Sequence, residues 1–175
     1  MRGAALAALL ALAACAPQVP SYRQIDDPIV VDPSVPPAAL AGLWYEVARF
    51  PNAPQAGCGL STAEYTPRAD GTLAVRNTCG PVVAGGPVRT IAGVATPAGP
   101  GALRVALEGV PVAGRLLILG RSPDGRTVLL GTPFRNGGWV LHRDADFSRA
   151  EFLAAQAVFG RSGYDEAALQ RRDWR

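Results

Sequence analysis

Few side chains in this sequence could do covalent or metal chemistry. Cysteine occurs three times, at Cys15, Cys58 and Cys79, and histidine once, at His142. That set is too small for the His, Cys and carboxylate groupings that hold structural or catalytic zinc. No His-Glu-x-x-His, Gly-x-Ser-x-Gly or Walker phosphate loop occurs. Gly57-Cys58-Gly59 follows no strand-to-helix pattern and carries no phosphate-loop meaning. A free thiolate at Cys58 would be a nucleophile; joined to Cys79 it would be an inert crosslink. The expectation is therefore no metal, no cofactor and no enzyme activity, with a thiol-dependent lipid-modifying enzyme as the one enzymatic alternative. All 17 basic residues are arginine, set against 14 acids for a formal net charge of +3. They are scattered, and without a basic stripe no nucleic-acid partner is expected.

These residues must be positioned by a turn-rich chain. At 175 residues it fits one domain of ordinary size. Its apolar fraction of 49% can supply a core, while 20 glycines and 16 prolines argue against a helical bundle. Runs with period-two alternation predict strands over 43–50, 60–67, 72–79, 88–96, 102–108, 115–121, 127–133 and 138–143. Asp70-Gly71, Asp124-Gly125 and Asn136-Gly137-Gly138 supply turn residues between them. Eight short strands joined by hairpins predict an all-β, antiparallel up-and-down barrel, because closure leaves no exposed edge. Ser148-Arg149-Ala150-Glu151 reads as a capping box, and Phe147 with Phe152 as a hydrophobic staple. The helix they start carries Phe152, Ala155 and Phe159 at i, i+3 and i+7, a narrow stripe suited to the barrel's outer wall. Gly160 or Gly163 should end it.

The N-terminus reads as an address. Residues 1–14 fit a secretory signal, with Arg2 before a twelve-residue apolar run from Gly3 to Ala14. That run is too short to span a bilayer as a helix, which needs about 20 residues. Leu12-Ala13-Ala14-Cys15 resembles the lipobox of bacterial lipoproteins, in which the cysteine is acylated. The resemblance implies a membrane anchor at Cys15 through several acyl chains, which together bind stably. Ala16 resembles the outer-membrane sorting pattern, so the expected location is the outer membrane, lipid-anchored and facing the periplasm. Residues 15–37, rich in proline, read as acylated cysteine and tether, although Ile29-Val30-Val31 could fold back onto the domain. With Cys15 acylated, Cys58 and Cys79 remain as an even pair in an oxidising compartment. Pairing two strands about Arg68–Gly71 sets position 79 opposite roughly position 60, within reach of Cys58. The expectation is a Cys58–Cys79 disulfide, with a free reactive Cys58 as the alternative.

Gly42-Leu43-Trp44-Tyr45-Glu46 resembles the opening Gly-x-Trp strand of the lipocalins, and within them the bacterial outer-membrane lipocalins and apolipoprotein D. Glu64-Tyr65, then Asp70-Gly71-x-Leu73-x-Val75-x-Asn77, Gly93–Pro97 and Trp139–Arg143 before the capped helix extend the resemblance over 38–175. One motif departs: Thr-Asp-Tyr between the sixth and seventh strands stands here as Arg121-Ser122-Pro123-Asp124-Gly125. A family receptor contact on that loop therefore does not carry over. The resemblance implies a barrel that stores or carries one small amphiphile, such as a fatty acid or lysophospholipid.

Alternation places Trp44, Glu46, Ala48 and Phe50 on one face. Trp44 should close the floor, with Arg143 lying over its ring as a structural pair. The expected ligand wall is Tyr65, Leu73, Val75, Asn77, Leu103, Val105, Trp139 and Leu141, with Leu107 continuing the set. Such a lining, apolar with a few polar handles, is typical of small-molecule sites; a dry filled core, serving as an envelope scaffold or partner-binding lipoprotein, uses the same residues. Small residues Ala48, Ala63, Gly93 and Ala95 favour empty volume. Glu46 either meets a ligand headgroup or satisfies Tyr or Arg neighbours. His142 alternates with the inward set and should point outward. The oligomeric state is open between monomer and weak dimer.

Overall fold

The computed structural model describes residues 21–23, 28–83 and 85–174. Residues 1–14, read above as a secretory signal, and Cys15 lie outside these residues. Eight antiparallel strands run β1 (Gly42–Arg49), β2 (Ser61–Pro67), β3 (Leu73–Cys79), β4 (Arg89–Pro97), β5 (Ala102–Leu107), β6 (Gly114–Arg121), β7 (Thr127–Gly131) and β8 (Gly138–His142). Each pairs with its chain neighbour, and β1 also pairs with β8, so the sheet closes. Helix α1 (Arg149–Arg161) follows, and the two-residue β9 (Gln170–Arg171) adds to the far end of β1.

The turns sort the barrel into two ends. Loops 68–72, 98–101 and 122–126 lie at one, which the short 3-10 helix Pro37–Leu40 plugs with a fully buried Leu40. Loops 50–60, 80–88, 108–113 and 132–137 surround the other, the mouth.

Two apolar layers share the barrel wall. The interior holds Trp44, Tyr65, Leu73, Val75, Leu103, Ile118, Leu130 and Leu141. The outer layer seats α1 through Phe147, Ala155 and Phe159 against Val47, Leu117, Leu129 and Val140. The capping box forms as the sequence requires: Glu151 N–H donates to Ser148 Oγ at 3.2 Å, and Ser148 N–H to Glu151 Oε2 at 2.7 Å. Gly163, at φ 73°, supplies the left-handed residue just past the helix. Part of the stretch read as a tether lies on this outer layer: Tyr22, Ile29 and Val31 pack against it, and Asp32 N–H donates to Ile118 O at 2.8 Å.

One strand departs from simple alternation. Glu46 pairs with Leu141 but Ala48 pairs with Val140, so a bulge at Val47 inserts one residue into β1. Beyond it the phase flips. Ala48 and Phe50 join the outer layer, and Arg49 enters the barrel. The expected face Trp44, Glu46, Ala48, Phe50 is thus correct only to Glu46.

Candidate ligand-binding site

The floor is filled and its polar atoms are satisfied. Trp44 is fully buried on β1, and its Nε1 donates to Leu40 O at 2.6 Å. The Arg143 guanidinium lies 3.4 Å from the Trp44 ring centre. It also donates to Leu43 O at 2.8 Å and Ala41 O at 2.7 Å. The cation therefore pins the ring and the incoming chain together, which is work for the fold rather than for a ligand.

Above the floor, every residue of the expected ligand wall faces the interior. Tyr65, Leu73, Val75, Leu103 and Leu141 are buried, while Asn77, Val105 and Trp139 are half-buried nearer the mouth. Leu107 sits level with Gly93. Ile91 and Leu116, paired with Asn77 and Leu103, complete the wall and were not picked from the sequence. Of the four small residues read as space-makers, Ala63 and Ala95 lie in the interior layer and Ala48 lies outside. Gly93 has a different cause: a Cβ there would meet Ala106 O at 2.2 Å, so β4 and β5 approach too closely for any side chain.

The β2–β3 wall carries polar groups without partners. Ser61 Oγ is buried with no hydrogen bond. Tyr65 is 5% exposed, and its hydroxyl has no hydrogen-bond partner among the described residues; burial alone drives its phenol well above the ordinary range. Asn77 faces Ala63 between them. Buried polar atoms are nearly always paired, so Ser61 Oγ stands out against the saturated floor. Strand alternation through Ser61, Ala63 and Tyr65 would have revealed Ser61.

A polar lid crosses one side of the mouth. Arg49 Nη1 donates to Glu46 Oε1 at 2.7 Å, and Gln55 Nε2 to Glu46 Oε2 at 2.6 Å. Trp139 Nε1 donates to Gln55 Oε1 at 2.7 Å, and Arg49 Nη2 to Cys58 O at 2.9 Å. Glu46 is therefore met by protein donors. Sequence reasoning missed Arg49 because the bulge changed its face, and Gln55 because it sits in a loop. The Cys58–Cys79 disulfide, with Cα atoms 5.2 Å apart, fastens this loop to the end of β3. It consumes the Cys58 thiol and so withdraws the thiol-enzyme alternative.

His142 points away from the interior but is not exposed. It is buried beneath the start of α1, its Nδ1 2.9 Å from Thr127 Oγ1 and its ring 5.3 Å from Phe147. Burial holds its pKa below the ordinary 6.5, although the Glu151 carboxylate pulls the other way. The departing loop at 122–126 is a compact turn: Asp124 accepts from Ser122 Oγ and Arg126 N–H. An open groove of about 950 Å³ also lies outside the barrel, where Ala154 and Val158 of α1 face Leu119 and Leu129. It belongs to the helix–wall seam rather than to the interior.

A lipocalin-like domain model matches residues 38–173. The chain belongs to the lipocalin family. It is similar to temperature-induced lipocalin-1 of Arabidopsis thaliana, 34% identical over 143 residues and 74% of each chain. The same barrel recurs in lobster apocrustacyanin A1, with a TM-score of 0.70, 17% identity, and 89% and 93% of the two chains covered. Insecticyanin from the tobacco hornworm Manduca sexta gives a TM-score of 0.63 at 17% identity over 89% and 88%. At such identities these solved structures speak for the fold alone. Lipocalins generally bind small hydrophobic ligands rather than catalyse reactions, which agrees with a barrel whose sole reactive thiol candidate is locked in a disulfide.

Proposed function

We propose that this lipocalin stores or carries one small amphiphile, a fatty acid or lysophospholipid, as an outer-membrane lipoprotein of the bacterial subgroup that also resembles apolipoprotein D. Acylation at Cys15, after removal of residues 1–14, would hold it at the membrane facing the periplasm. The observation that carries the reading is a row of polar side chains, Ser61, Asn77 and Tyr65, on an otherwise apolar inner wall, with the buried Ser61 Oγ left unpartnered. An alkyl chain against Leu73, Val75, Leu103, Val105 and Leu141 would gain about 0.8 kcal/mol per buried methylene. The row would supply hydrogen bonds to a carboxylate, phosphate or glycerol oxygen, groups that water now has to satisfy or that go unmet. Trp139 stands at the mouth, where its ring would cover the ligand while its Nε1 stays on Gln55.

Native mass spectrometry of the full chain carrying Cys15→Ser, purified from a periplasm without detergent, tests this. A stoichiometric adduct released on denaturation as a fatty acid or lysolipid is expected. Trp139→Ala should lower affinity for a fluorescent fatty acid while leaving the unfolding midpoint close to that of the parent. A bare mass together with no uptake of the fluorescent fatty acid would mean a filled barrel and reject the carrier reading.

A further inference from the structure

The two ends of the barrel differ in surface chemistry. Of the nine large apolar side chains exposed among the described residues, six stand on the mouth loops: Val82, Val83, Val88, Val110, Val112 and Phe134. Their exposure runs from 46% at Val110 to 77% at Phe134. The four mouth loops contain two charged residues, Glu108 and Arg135, and Arg135 is buried. Loops 68–72, 98–101 and 122–126, with segment 143–148, contain seven in fewer residues. Isolated exposed apolar residues need no explanation, but six gathered on one rim mark an interaction surface.

Three observations select a lipid bilayer as what covers it. First, the six side chains are spread over three separate loops that ring an opening, a shape suited to a fluid surface into which each tip enters independently. Second, arginines stand behind the rim. Arg104 and Arg115 lie directly opposite on the outer faces of β5 and β6, both exposed, and no carboxylate pairs with either among the described residues. Like charges opposite one another are unfavourable unless an anion lies between them. Arg115 is three residues from Val112, about 10 Å along the chain, which is the depth of an interfacial insertion. Third, the N-terminal segment leaves the domain at this same end. Ser21 Oγ donates to Phe134 O at 3.2 Å, Tyr22 N–H to Arg135 O at 2.8 Å, and Tyr22 Oη to Pro51 O at 2.6 Å. Cys15 is six residues upstream, so an acyl anchor there reaches at most about 20 Å from the rim.

We infer that the mouth loops dock on an anionic bilayer surface, with the valines and Phe134 in the acyl boundary and Arg104 and Arg115 at phosphate depth. This deepens the proposed function, because a ligand would then pass between bilayer and barrel without crossing water. Its dependence on that reading is confined to the position of Cys15.

The test uses the full chain with Cys15→Ser, so that no acyl anchor contributes, and vesicles of phosphatidylglycerol and phosphatidylcholine. Hydrogen exchange should slow in loops 80–88, 108–113 and 132–137 when vesicles are added, and stay unchanged in 68–72 and 122–126. Val82→Asp, Val112→Asp and Phe134→Asp together should abolish that protection and weaken partitioning at least tenfold, with fatty-acid uptake in solution retained. Arg104→Gln with Arg115→Gln should remove the preference for phosphatidylglycerol. Vesicle binding without rim protection, or equal binding by the triple variant, overturns the inference. So does rim protection that rises with protein concentration in the absence of vesicles, which would mean that a second copy covers the rim. Loss of fatty-acid uptake by Trp139→Ala bears on the carrier reading alone, so the two can fail separately.

Discussion

Two tyrosines lie on opposite sides of one barrel wall and are buried to nearly the same degree. Tyr164, in the outer layer, is fully covered; Tyr65, in the interior, is 5% exposed. The Tyr164 hydroxyl accepts from Thr132 N–H at 2.9 Å and has Thr132 O and Gly137 O at 3.2 and 3.1 Å as acceptors. Its ring packs between Phe50 and Phe159, with centroids 5.0 and 5.1 Å away. Even the backbone yields to it, since a Cβ at Gly131 would lie 2.5 Å from its oxygen. The Tyr65 hydroxyl has no such company. Burial raises both phenols, but hydrogen bonds oppose the rise only at Tyr164. The fold saturates one hydroxyl and leaves the other open to something the chain does not itself provide.

That contrast can be broken by substitution. The largest losses should be shared by both layers, because each is built on fully buried rings, Trp44 in the interior and Phe50, Phe159 and Tyr164 outside. Trp44→Ala and Phe159→Ala should each cost about 3–5 kcal/mol in denaturant unfolding; a loss near zero at Phe159 would mean that α1 is not held by this seam. Next comes Tyr164→Phe, expected to cost about 1–3 kcal/mol because it strands the Thr132 and Gly137 backbone groups. A smaller effect is expected at His142. Its folded pKa lies below that of the unfolded chain, so the unfolded state takes up the proton first as pH falls through 6.5. The stability this imidazole contributes is present above that pH and declines below it. His142→Asn should flatten that part of the stability–pH curve, and an unchanged slope would assign it to the carboxylates. The smallest effect on folding belongs to Tyr65→Phe, within about 0.5 kcal/mol of the parent, yet it should weaken fatty-acid binding severalfold. A stability loss as large as that of Tyr164→Phe would show that the Tyr65 hydroxyl serves the fold, and the comparison between the layers would collapse.

Local patterns specified the elements. Period-two runs located all eight strands to within a residue or two at most ends, and Ser148 with Glu151 marked the start of α1. The hairpin about Asp70-Gly71 was enough to bring Cys79 opposite Ser61 and near Cys58, so the disulfide was legible from spacing. The inward face of the barrel was also largely legible, because alternation holds through β2, β3 and β5.

What the sequence could not give is phase and meeting. Whether β1 keeps its alternation depends on how β8, almost 100 residues later, registers against it, and the bulge at Val47 reverses every side chain beyond. Hence Arg49 points inward to Glu46, and Ala48 and Phe50 turn out to the seam. Gln55 reaches Glu46 and Trp139 only because its loop folds over the mouth. The sequence by itself determined which segments are strands and helix, since those choices are made by neighbours a few residues apart. Tertiary structure alone decided which buried hydroxyls go unpartnered and which end of the barrel gathers the exposed valines, because both depend on closing the sheet on itself.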